Sequence, residues 1–455
     1  MSAIKIVNAQ DLSETFFSVR RLSGGLDEVP VILEAVRVHG DSGVRSYAAK
    51  YDRANPESFE ISPAALKGAE ERLREGNPSL YSALCLSRDL ALKFATRQRD
   101  SFDDFETELS PGLFTGQRTI PVERAGLYVP GGRFALVSSV IMCATPAKAA
   151  GVGEIVFCTP PVPHPENPAL PWADESILAA ASLCGIDRVF AIGGAQAIAA
   201  MAYGTESVPR VNAIVGPGNK YVAQAKKLVF GEVGIDLLAG PTEVMVIADD
   251  SAHPSWIAAD LLAQAEHDPD AQAVLVTASE PLARAVAAEV STLVDALPEG
   301  AAARKSLGSN GLIVLVRELP EAIAIANRKA PEHLELALDP GEERDAIEAE
   351  VRNYGSLFVG HRTAEVLGDY AAGLNHTLPT SGSALFTGGL SVRHFLKTVT
   401  TLRTAENGLA APVTGGAGLS GDPLSGWRAS VDAAETIATA EGLSGHALAA
   451  RLRRS

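Results

Sequence analysis

The sequence predicts an α/β protein built on parallel sheets. Short apolar strands alternate with helices between residues 126 and 248, and residues 249–367 repeat this alternation. The predicted strands lie at 155–158, 188–192, 213–215, 243–248, 273–277, 311–316, 334–337 and 356–359. Since strand, turn, helix and strand at this spacing form βαβ units, the strands of each region are expected to lie parallel in one sheet.

The chain before residue 126 is predicted to be mostly helical. Apolar residues recur there at helical spacing, with charged residues between them, at 29–39, 64–75 and 79–98. A strand-like run at 120–129 follows and ends in Pro130-Gly131-Gly132.

The chain after residue 367 is predicted to be rich in loops. A glycine-rich stretch at 408–426 separates these loops from one last helix at 430–453. This helix is too small to form a domain, so we expect it to pack on something else, including a second copy of the chain.

Length and composition exclude several classes of protein. A chain of 455 residues is expected to form two or more domains. Its net charge of −16 argues against a nucleic-acid or an anionic membrane partner, because both require clustered cations. No apolar run reaches about 18 residues and no signal peptide is evident, so we expect a cytoplasmic protein. Scattered cysteines, expected as buried thiols, agree with a reducing compartment. They are Cys85, Cys143, Cys158 and Cys184.

Three glycine-containing turns follow predicted strands. They are Pro130-Gly131-Gly132, Gly193-Gly194-Ala195-Gln196 and Gly216-Pro217-Gly218-Asn219. Turns of this kind, opening helices after parallel strands, bind anions and nucleotides. Any one of them alone could be an ordinary connection, and none is a G-x-G-x-x-G or a P-loop. Three in one sheet favour a ligand crevice of unspecified chemistry.

A helix starting near Pro254 ends in a possible half of a metal site. Gln264 and His267 stand three residues apart, so they share one helix face. An amide oxygen and an imidazole are acceptable ligands for a metal such as Zn²⁺. The alternative is a polar helix end capped by residues 268–270.

Further along the chain, two strings can carry acid–base chemistry. Glu332 and His333 are adjacent, and both side-chain types can be tuned to titrate near neutral pH. On a strand they would point to opposite faces, unless a turn intervenes. The alternative is a solvated glutamate beside a half-buried histidine. Asp369 and His376 lie in a polar, glycine-containing loop of the kind that carries site residues.

Longer strings resemble the histidinol dehydrogenase family, and they occur in the family's order. They run from about residue 116 to residue 446 and read GLYVPGG, IGGAQAIAAMAYGTE, IVGPGNKYV, VFGEVGID, AGPTEV, LLAQAEH, APEHLEL, GDYAAGLNHTLPT and GLSVRHFLK. The resemblance implies a zinc-containing, NAD-dependent homodimer. Such enzymes oxidise L-histidinol to L-histidine in histidine biosynthesis, in two steps through L-histidinal.

The resemblance also implies an architecture. It consists of two incomplete Rossmann-like parallel-sheet domains and a small helical C-terminal tail in an intertwined homodimer. On this basis we expect residues 1–125 and 239–380 to form the first α/β domain. Residues 126–238 would form the second, NAD-binding domain, and residues 381–455 the tail and dimerisation segment.

Site residues follow by matching positions. The zinc ligands would be Gln264, His267, Asp369 and His446, with His446 reaching across the dimer. His333 would take the proton of the alcohol, and Glu332 would activate the water that attacks the aldehyde. The substrate contacts implied are Thr242, Gln264, His267, His333, Asp369, His376, Glu441 and His446. The NAD contacts implied are Tyr128, Gln196 and Asn219.

Some positions depart from the family pattern. Thr242 stands where the family usually has serine, and the added methyl narrows the pocket. The segments 134–139 and 404–428 also differ from the usual pattern. The strings GPTE, NHTLPT and TGGL are similar to paralogues that oxidise sulfonated diols such as sulfopropanediol. A dehydrogenase of another small alcohol is therefore the alternative expectation, and a non-catalytic binding protein with the same fold is a further one.

Overall fold

A computed structural model of the chain describes residues 4–20, 24–54, 56–131, 135–162, 172–405 and 422–454. The chain divides into two compact units. The first contains Met1–Arg99 and Val122–Phe395, and the second contains Asp100–Pro121 and Leu396–Ser455. Within the described ranges, no helix has the length and apolar character needed to cross a membrane. Most of the glycine-rich stretch predicted at 408–426 lies outside these ranges.

The described residues form fifteen strands. They are β1 (Lys5–Asn8), β2 (Glu60–Ile61), β3 (Phe105–Ser110), β4 (Leu113–Pro121), β5 (Arg124–Tyr128), β6 (Glu154–Thr159), β7 (Arg188–Ala191), β8 (Ala213–Val215), β9 (Gly234–Ile235), β10 (Glu243–Ala248), β11 (Gln272–Thr277), β12 (Leu312–Leu315), β13 (His333–Ala337), β14 (Ser356–Val359) and β15 (Leu396–Thr404).

The same residues form sixteen α-helices. They are α1 (Glu14–Phe17), α2 (Glu28–Tyr47), α3 (Pro63–Gly76), α4 (Pro78–Arg99), α5 (Val137–Ala150), α6 (Glu175–Leu183), α7 (Gly194–Tyr203), α8 (Lys220–Val229), α9 (Pro254–Glu266), α10 (Glu280–Asp295), α11 (Ala302–Asn310), α12 (Leu319–Lys329), α13 (Glu342–Glu350), α14 (Glu365–Tyr370), α15 (Ser425–Ala440) and α16 (Ser444–Arg451).

The first unit contains two sheets. One has the strand order β1-β12-β11-β10-β13-β14, and every pairing in it is parallel. Successive side chains of β10 enter different cores, because side chains alternate across a strand. Val244 and Val246 pack in the core that contains α9 and α10, whereas Met245 and Ile247 pack with α12. Helices therefore cover both faces, as the predicted α/β class requires.

The other sheet has the order β2-β7-β6-β5-β8-β9 and is parallel except for β2. Helices α2, α3 and α4 pack against α7, α6 and α5 of this half. These helices thus pack within the second sheet's half, whereas β1 joins the other sheet and α1 contacts α12 beside it. The grouping of residues 1–125 with 239–380 stays a prediction. The apolar stripe of a helix shows that one face is buried, but it does not show which partner buries that face.

The second unit contains a structure that the sequence patterns did not predict. Strands β15, β4 and β3 form an antiparallel sheet, with β15 in the region predicted to be loop-rich. The run at 120–129 is two strands, because β4 ends at Pro121 and β5 begins at Arg124. The domain division also differs from the prediction, since 100–121 accompany the tail whereas 381–395 belong to the first unit.

The helix predicted at 430–453 is two helices. Helix α15 ends at Ala440 and α16 begins at Ser444. Between them Gly442 has φ of +76°, a backbone conformation that ends an α-helix and favours glycine. The long apolar pattern continued across this break, so helical spacing alone did not reveal it.

Candidate active site

The predicted acid–base pair lies at the amino end of the first sheet. Glu332 precedes β13 and His333 is its first residue. The register pairs His333 with Val244 of the neighbouring β10, so Thr242 and Glu243 lie beside the pair. Ligands of open parallel sheets usually bind at the carboxyl ends of the strands, so this position departs from the common arrangement.

Glu332 is a buried carboxylate, and one of its oxygens is held by two hydrogen bonds. It is 5% exposed, and its Oε2 accepts hydrogen bonds from the Thr242 hydroxyl at 2.5 Å and from the Glu243 N–H at 2.9 Å. Burial raises its pKa to about 7, although His333, Thr242 and Glu243 N–H act in the opposite direction. A carboxyl group with a pKa near neutrality can accept and return a proton during a reaction.

His333 lies among carboxylates, and each of its two ring nitrogens faces at least one of them. Its Nδ1 is 3.2 Å from the Glu243 carbonyl oxygen, 3.9 Å from Glu332 Oε2 and 3.8 Å from Glu365 Oε2. Its Nε2 is 3.7 Å from Asp369 Oδ1 and has no hydrogen-bond partner among the described residues. An acceptor carbonyl at Nδ1 requires the proton there, which leaves Nε2 as the reactive nitrogen. Glu332 lies just before β13, so the alternation of faces expected for two neighbouring strand residues does not apply to this pair.

Burial by itself would lower the pKa of His333. The carboxylates of Glu365, Glu332 and Asp369 outweigh burial and raise the pKa to about 10. The site therefore has an excess of buried negative charge.

A group of metal-binding side chains adjoins His333. His267 follows α9, and Asp369 lies in α14, with His267 Nε2 3.8 Å from Asp369 Oδ2. Glu365 completes the group, and one ligand atom from each of the three lies within 4.8 Å of the others. Glu365 is 1% exposed and stands four residues before Asp369, which places both on one helix face. Sequence reasoning missed Glu365, although this spacing of two acids was a usable signal.

Gln264 is fully buried beside the same group. Its hydrogen bonds are satisfied when the amide nitrogen faces the Glu365 carboxylate at 2.6 and 3.0 Å. The amide oxygen then accepts from the Glu243 N–H at 2.8 Å and lies 2.5 Å from the Thr242 hydroxyl, whose single proton goes either to this oxygen or to Glu332. With the amide turned over, the oxygen faces the carboxylate of Glu365, an arrangement that is favourable only when a proton or a cation lies between the two oxygens.

These side chains fit a divalent cation. Imidazole, carboxylate and amide-oxygen donors are the ligand types of a borderline metal such as zinc. Lys329, a buried cation, is already paired with Glu243, with Nζ 2.9 Å from Oε1. The carboxylates of Glu365 and Asp369 are thus available to an added positive charge, which would also offset their effect on the pKa of His333.

His376 is hydrogen-bonded to the backbone of α14, the helix that carries Asp369, so Asp369 does not lie in the loop predicted for it. Its Nδ1–H donates to the Asp369 carbonyl at 3.0 Å, and its Nε2 accepts from the Ser139 hydroxyl at 3.0 Å. Burial lowers its pKa, which favours the neutral ring. Both nitrogens of this predicted substrate contact are therefore engaged with protein groups. Ser139 belongs to α5, so these two bonds link α14, through His376, to the half of the unit that contains the second sheet.

The three residues implied for NAD follow strands of the second sheet. Tyr128 ends β5, Gln196 lies in the first turn of α7, and Asn219 caps α8. The Tyr128 hydroxyl accepts from the Gly194 N–H at 3.0 Å. Asn219 Oδ1 accepts from the first backbone N–H groups of α8 at 3.0 and 3.2 Å. These positions are at the carboxyl ends of β5, β7 and β8, where dinucleotides bind in parallel sheets.

The Gly216 turn is held by a buried ion pair that sequence reasoning missed. The Gly216 N–H donates to Asp236 at 2.7 Å, Lys226 Nζ donates to the Gly216 carbonyl at 3.0 Å, and Lys226 and Asp236 form an ion pair. Both side chains are almost completely buried, at 3% and 0% exposure. The backbone of this turn is thus fixed before any ligand arrives.

Glu441 and His446 lie in the second unit. Glu441 follows α15, His446 belongs to α16, and both are exposed.

The first unit thus combines an acid–base pair, nitrogen and oxygen side chains of the types that bind metals, and turns of the kind that bind dinucleotides. This combination is typical of an oxidoreductase. The family model described as histidinol dehydrogenase matches residues 20–419. The chain belongs to this family, which confirms the resemblance read from its motifs.

Individual members of the family are similar to this chain over most of their length. The chain is 45% identical over 388 residues to a histidinol dehydrogenase of Wolinella succinogenes, covering 84% of this chain and 86% of the relative. It is 41% identical over 463 aligned positions to one of Aromatoleum aromaticum, covering 99% and 98%. The crystal structure of histidinol dehydrogenase from Elizabethkingia anophelis matches with a TM-score of 0.87 and 31% identity, covering 100% of this chain and 98% of that one.

Proposed function

We propose that this protein oxidises L-histidinol to L-histidine through L-histidinal, using NAD⁺ and a zinc site, as a step of histidine biosynthesis. Membership of the family supports the reaction, since related histidinol dehydrogenases align with nearly the whole chain. The observation that carries the chemistry is His333 Nε2, a buried imidazole nitrogen that has no hydrogen-bond partner among the described residues and lies 3.7 Å from Asp369 Oδ1, next to His267 and Glu365. The other ring nitrogen, Nδ1, faces Glu332.

In the first step, His333 Nε2 takes the hydroxyl proton of the alcohol. The carbon–hydrogen bond breaks at the same time, and its hydride passes to NAD⁺, which gives the aldehyde and NADH. Loss of a hydride from an alcohol leaves a cationic oxygen unless the proton also departs, so a base within hydrogen-bond reach is needed. The carbonyl of Glu243 at 3.2 Å from Nδ1 keeps the ring in the tautomer that has Nε2 free.

In the second step, Glu332 takes a proton from the water that adds to the aldehyde carbon. The resulting hydrate anion loses its hydride to a second NAD⁺ and becomes the carboxylic acid, which releases its remaining proton to solvent and leaves as the carboxylate. Thr242 and the Glu243 N–H fix one oxygen of Glu332 and leave the other available for this role.

The zinc ligands of the proposal are Gln264, His267, Asp369 and His446. Bound there, the ion would supply a positive charge and open positions for the amine and imidazole nitrogens of the substrate. Glu365 lies between Gln264 and Asp369 and contacts the amide of the former.

His446 is proposed to come from the other subunit of an intertwined homodimer. Exposed apolar side chains support this assembly, because a stable interface buries such surface. Next to Asp369 they include Leu367 and Tyr370, at 45% and 51% exposure. In the last helix and just after it they include Leu448 and Leu452, at 50% and 68% exposure.

The alternative substrate, a sulfonated diol, is disfavoured by the charge of the site. The side chains around His333 are carboxylates, namely Glu332, Glu365 and Asp369. A sulfonate would be repelled there, whereas an amine would be attracted.

The stoichiometry of NADH tests the proposal. Histidinol should yield two NADH and histidinal one, because each oxidation delivers one hydride. Chelation should abolish the reaction and Zn²⁺ should restore it. Release of the aldehyde after one NADH would reject the double oxidation. Faster turnover of a sulfonated diol than of histidinol would reject the substrate.

A further inference from the structure

Asp52 lies in the helical N-terminal part of the chain but reaches the second sheet's glycine turn. It ends the short π-helical turn Ala48–Asp52 that continues α2. Its side chain contacts Gly193 and Gln196, where β7 passes into α7. Neither the motifs nor the family positions named above include Asp52.

The contact fixes the orientation of an amide. Gln196 Nε2 donates to Asp52 Oδ2 at 3.0 Å, and the Gly193 N–H donates to the same oxygen at 3.4 Å. Gln196 is 1% exposed, and its Oε1 accepts no hydrogen bond from the described part of the chain. The nitrogen is therefore committed to the carboxylate, and the oxygen remains for a ligand.

The same turn has no spare room around it. A Cβ on Gly193 would lie 2.7 Å from Asp52 Oδ1, and a Cβ on Gly194 would lie 2.9 Å from Gln196 Oε1. Gly194 has φ of +61° and donates its N–H to the Tyr128 hydroxyl. Asp52, Gln196 and Tyr128 thus all contact the turn at Gly193 and Gly194. Gln196 and Tyr128 are also implied NAD contacts.

We propose that Asp52 is a positioning residue of the dinucleotide site. By accepting the Gln196 N–H it presents the Gln196 amide oxygen to the cofactor, as the acceptor for a hydroxyl or amide donor of NAD⁺. This inference rests on the proposed use of NAD⁺. It also gives the N-terminal helices a part in cofactor binding.

A carboxylate suits this role better than its amide. It can only accept, so Gln196 has one favourable orientation. Asparagine at position 52 can donate or accept, so Gln196 can then turn its nitrogen toward the cofactor. Burial raises the pKa of Asp52, while the hydrogen bonds from Gly193 and Gln196 oppose the shift.

The test compares Asp52→Asn and Asp52→Ala with Asp41→Asn. Asp41 in α2 is a matched control, because it also bonds across to the second sheet's half, to Ser207, without touching the glycine turn. We measure kcat and KM with NAD⁺ varied, KM for histidinol, melting temperature, and the Kd of NAD⁺ by calorimetry.

Both Asp52 variants should raise the KM and Kd of NAD⁺ by about tenfold, the effect of losing one hydrogen bond between the Gln196 amide oxygen and the cofactor. Their kcat and KM for histidinol should stay within about twofold, and Asp41→Asn should change none of these. Unchanged NAD⁺ affinity in Asp52→Asn would overturn the proposal. So would a loss of kcat and melting temperature with no selective effect on NAD⁺. Calorimetry measures the Kd of NAD⁺ without any alcohol present, so it tests the role of Asp52 even if histidinol is not the substrate.

Discussion

At the scale of single residues, buried carboxyl groups determine the character of this site. Glu332, Glu335 and Glu365 are at most 5% exposed, and burial raises the pKa of each. Such groups cost stability when they ionise without a cation. Their presence around His333 is expected for a site that functions with a bound cation, and it makes the metal-free protein sensitive to pH.

Glu335 offers a test of this cost. Burial, and then the charge of Asp260, raise its pKa to about 8, from an ordinary value of 4.5. The unfolded chain releases this proton near pH 4.5 and the folded chain keeps it to about pH 8, so stability falls as the pH rises between these values. Glu335→Gln removes this loss and can still accept the Glu365 N–H, which Glu335 accepts at 2.7 Å.

We therefore expect the chelator-treated Glu335→Gln variant to gain stability over the parent as the pH rises from 5 to about 8. Urea unfolding at both pH values measures the effect. Glu348→Gln, on the exposed surface of α13, is the control and should show no such trend. An equal difference from the parent at both pH values would contradict the assignment.

At the scale of elements, the turns after the parallel strands have a backbone that is already held in one conformation. The Gly216 turn shows how tightly one of them is fitted, since Gly216 has φ of +118° and a Cβ there would lie 2.1 Å from the Tyr128 carbonyl oxygen. Backbone of this kind binds a ligand with little reorganisation.

Gly216→Ala should therefore weaken NAD⁺ binding as well as stability. Gly231→Ala is the matched control, because Gly231 also has a positive φ, +105°, but a Cβ there meets nothing within 4 Å. We expect the control to lose only about 1–2 kcal/mol of unfolding free energy, the cost of the backbone conformation. Gly216→Ala should lose more and should raise the KM of NAD⁺ several-fold. Equal effects of the two substitutions would show that backbone strain alone matters.

At the scale of the whole molecule, the proposal joins His446 of one copy to the zinc ligands of another. Mixed dimers test it directly, using His446→Ala and Glu332→Gln, each expected to be inactive in aldehyde oxidation. A hybrid dimer has one site with both residues intact and one that lacks both. Co-refolding equal amounts should restore about one quarter of the parent activity, since half of the dimers are hybrids with one intact site. No restoration would mean that each tail serves its own subunit.

Prediction from sequence succeeded where the signal is local. The strands and helices expected between residues 155 and 359 are all present, because alternating apolar runs and glycine turns record the βαβ order. The helix predicted to carry Gln264 is α9, which ends one residue before His267, and the role of these two residues as metal ligands stays a prediction. The motifs also identified the family, which the family model confirms.

Contacts between distant segments were beyond these local patterns. Lys329 and Asp52 each look like ordinary surface charges in the sequence, yet each has its partner elsewhere in the chain. The antiparallel sheet that contains β15 escaped because most of β15 is exposed and shows little alternation.

The sequence by itself determined the alternation of strands and helices, the positions of the glycine turns and the family. Only the tertiary structure decided that α2, α3 and α4 pack against the helices of the second sheet's half and that Glu365 adjoins Gln264. It also decided that His333 Nε2 has no hydrogen-bond partner in the part of the chain that the structure describes. The reason is physical. Periodicity and turn chemistry act over a few residues, whereas the choice of partner for a buried face or charge depends on the free energy of the whole packed chain.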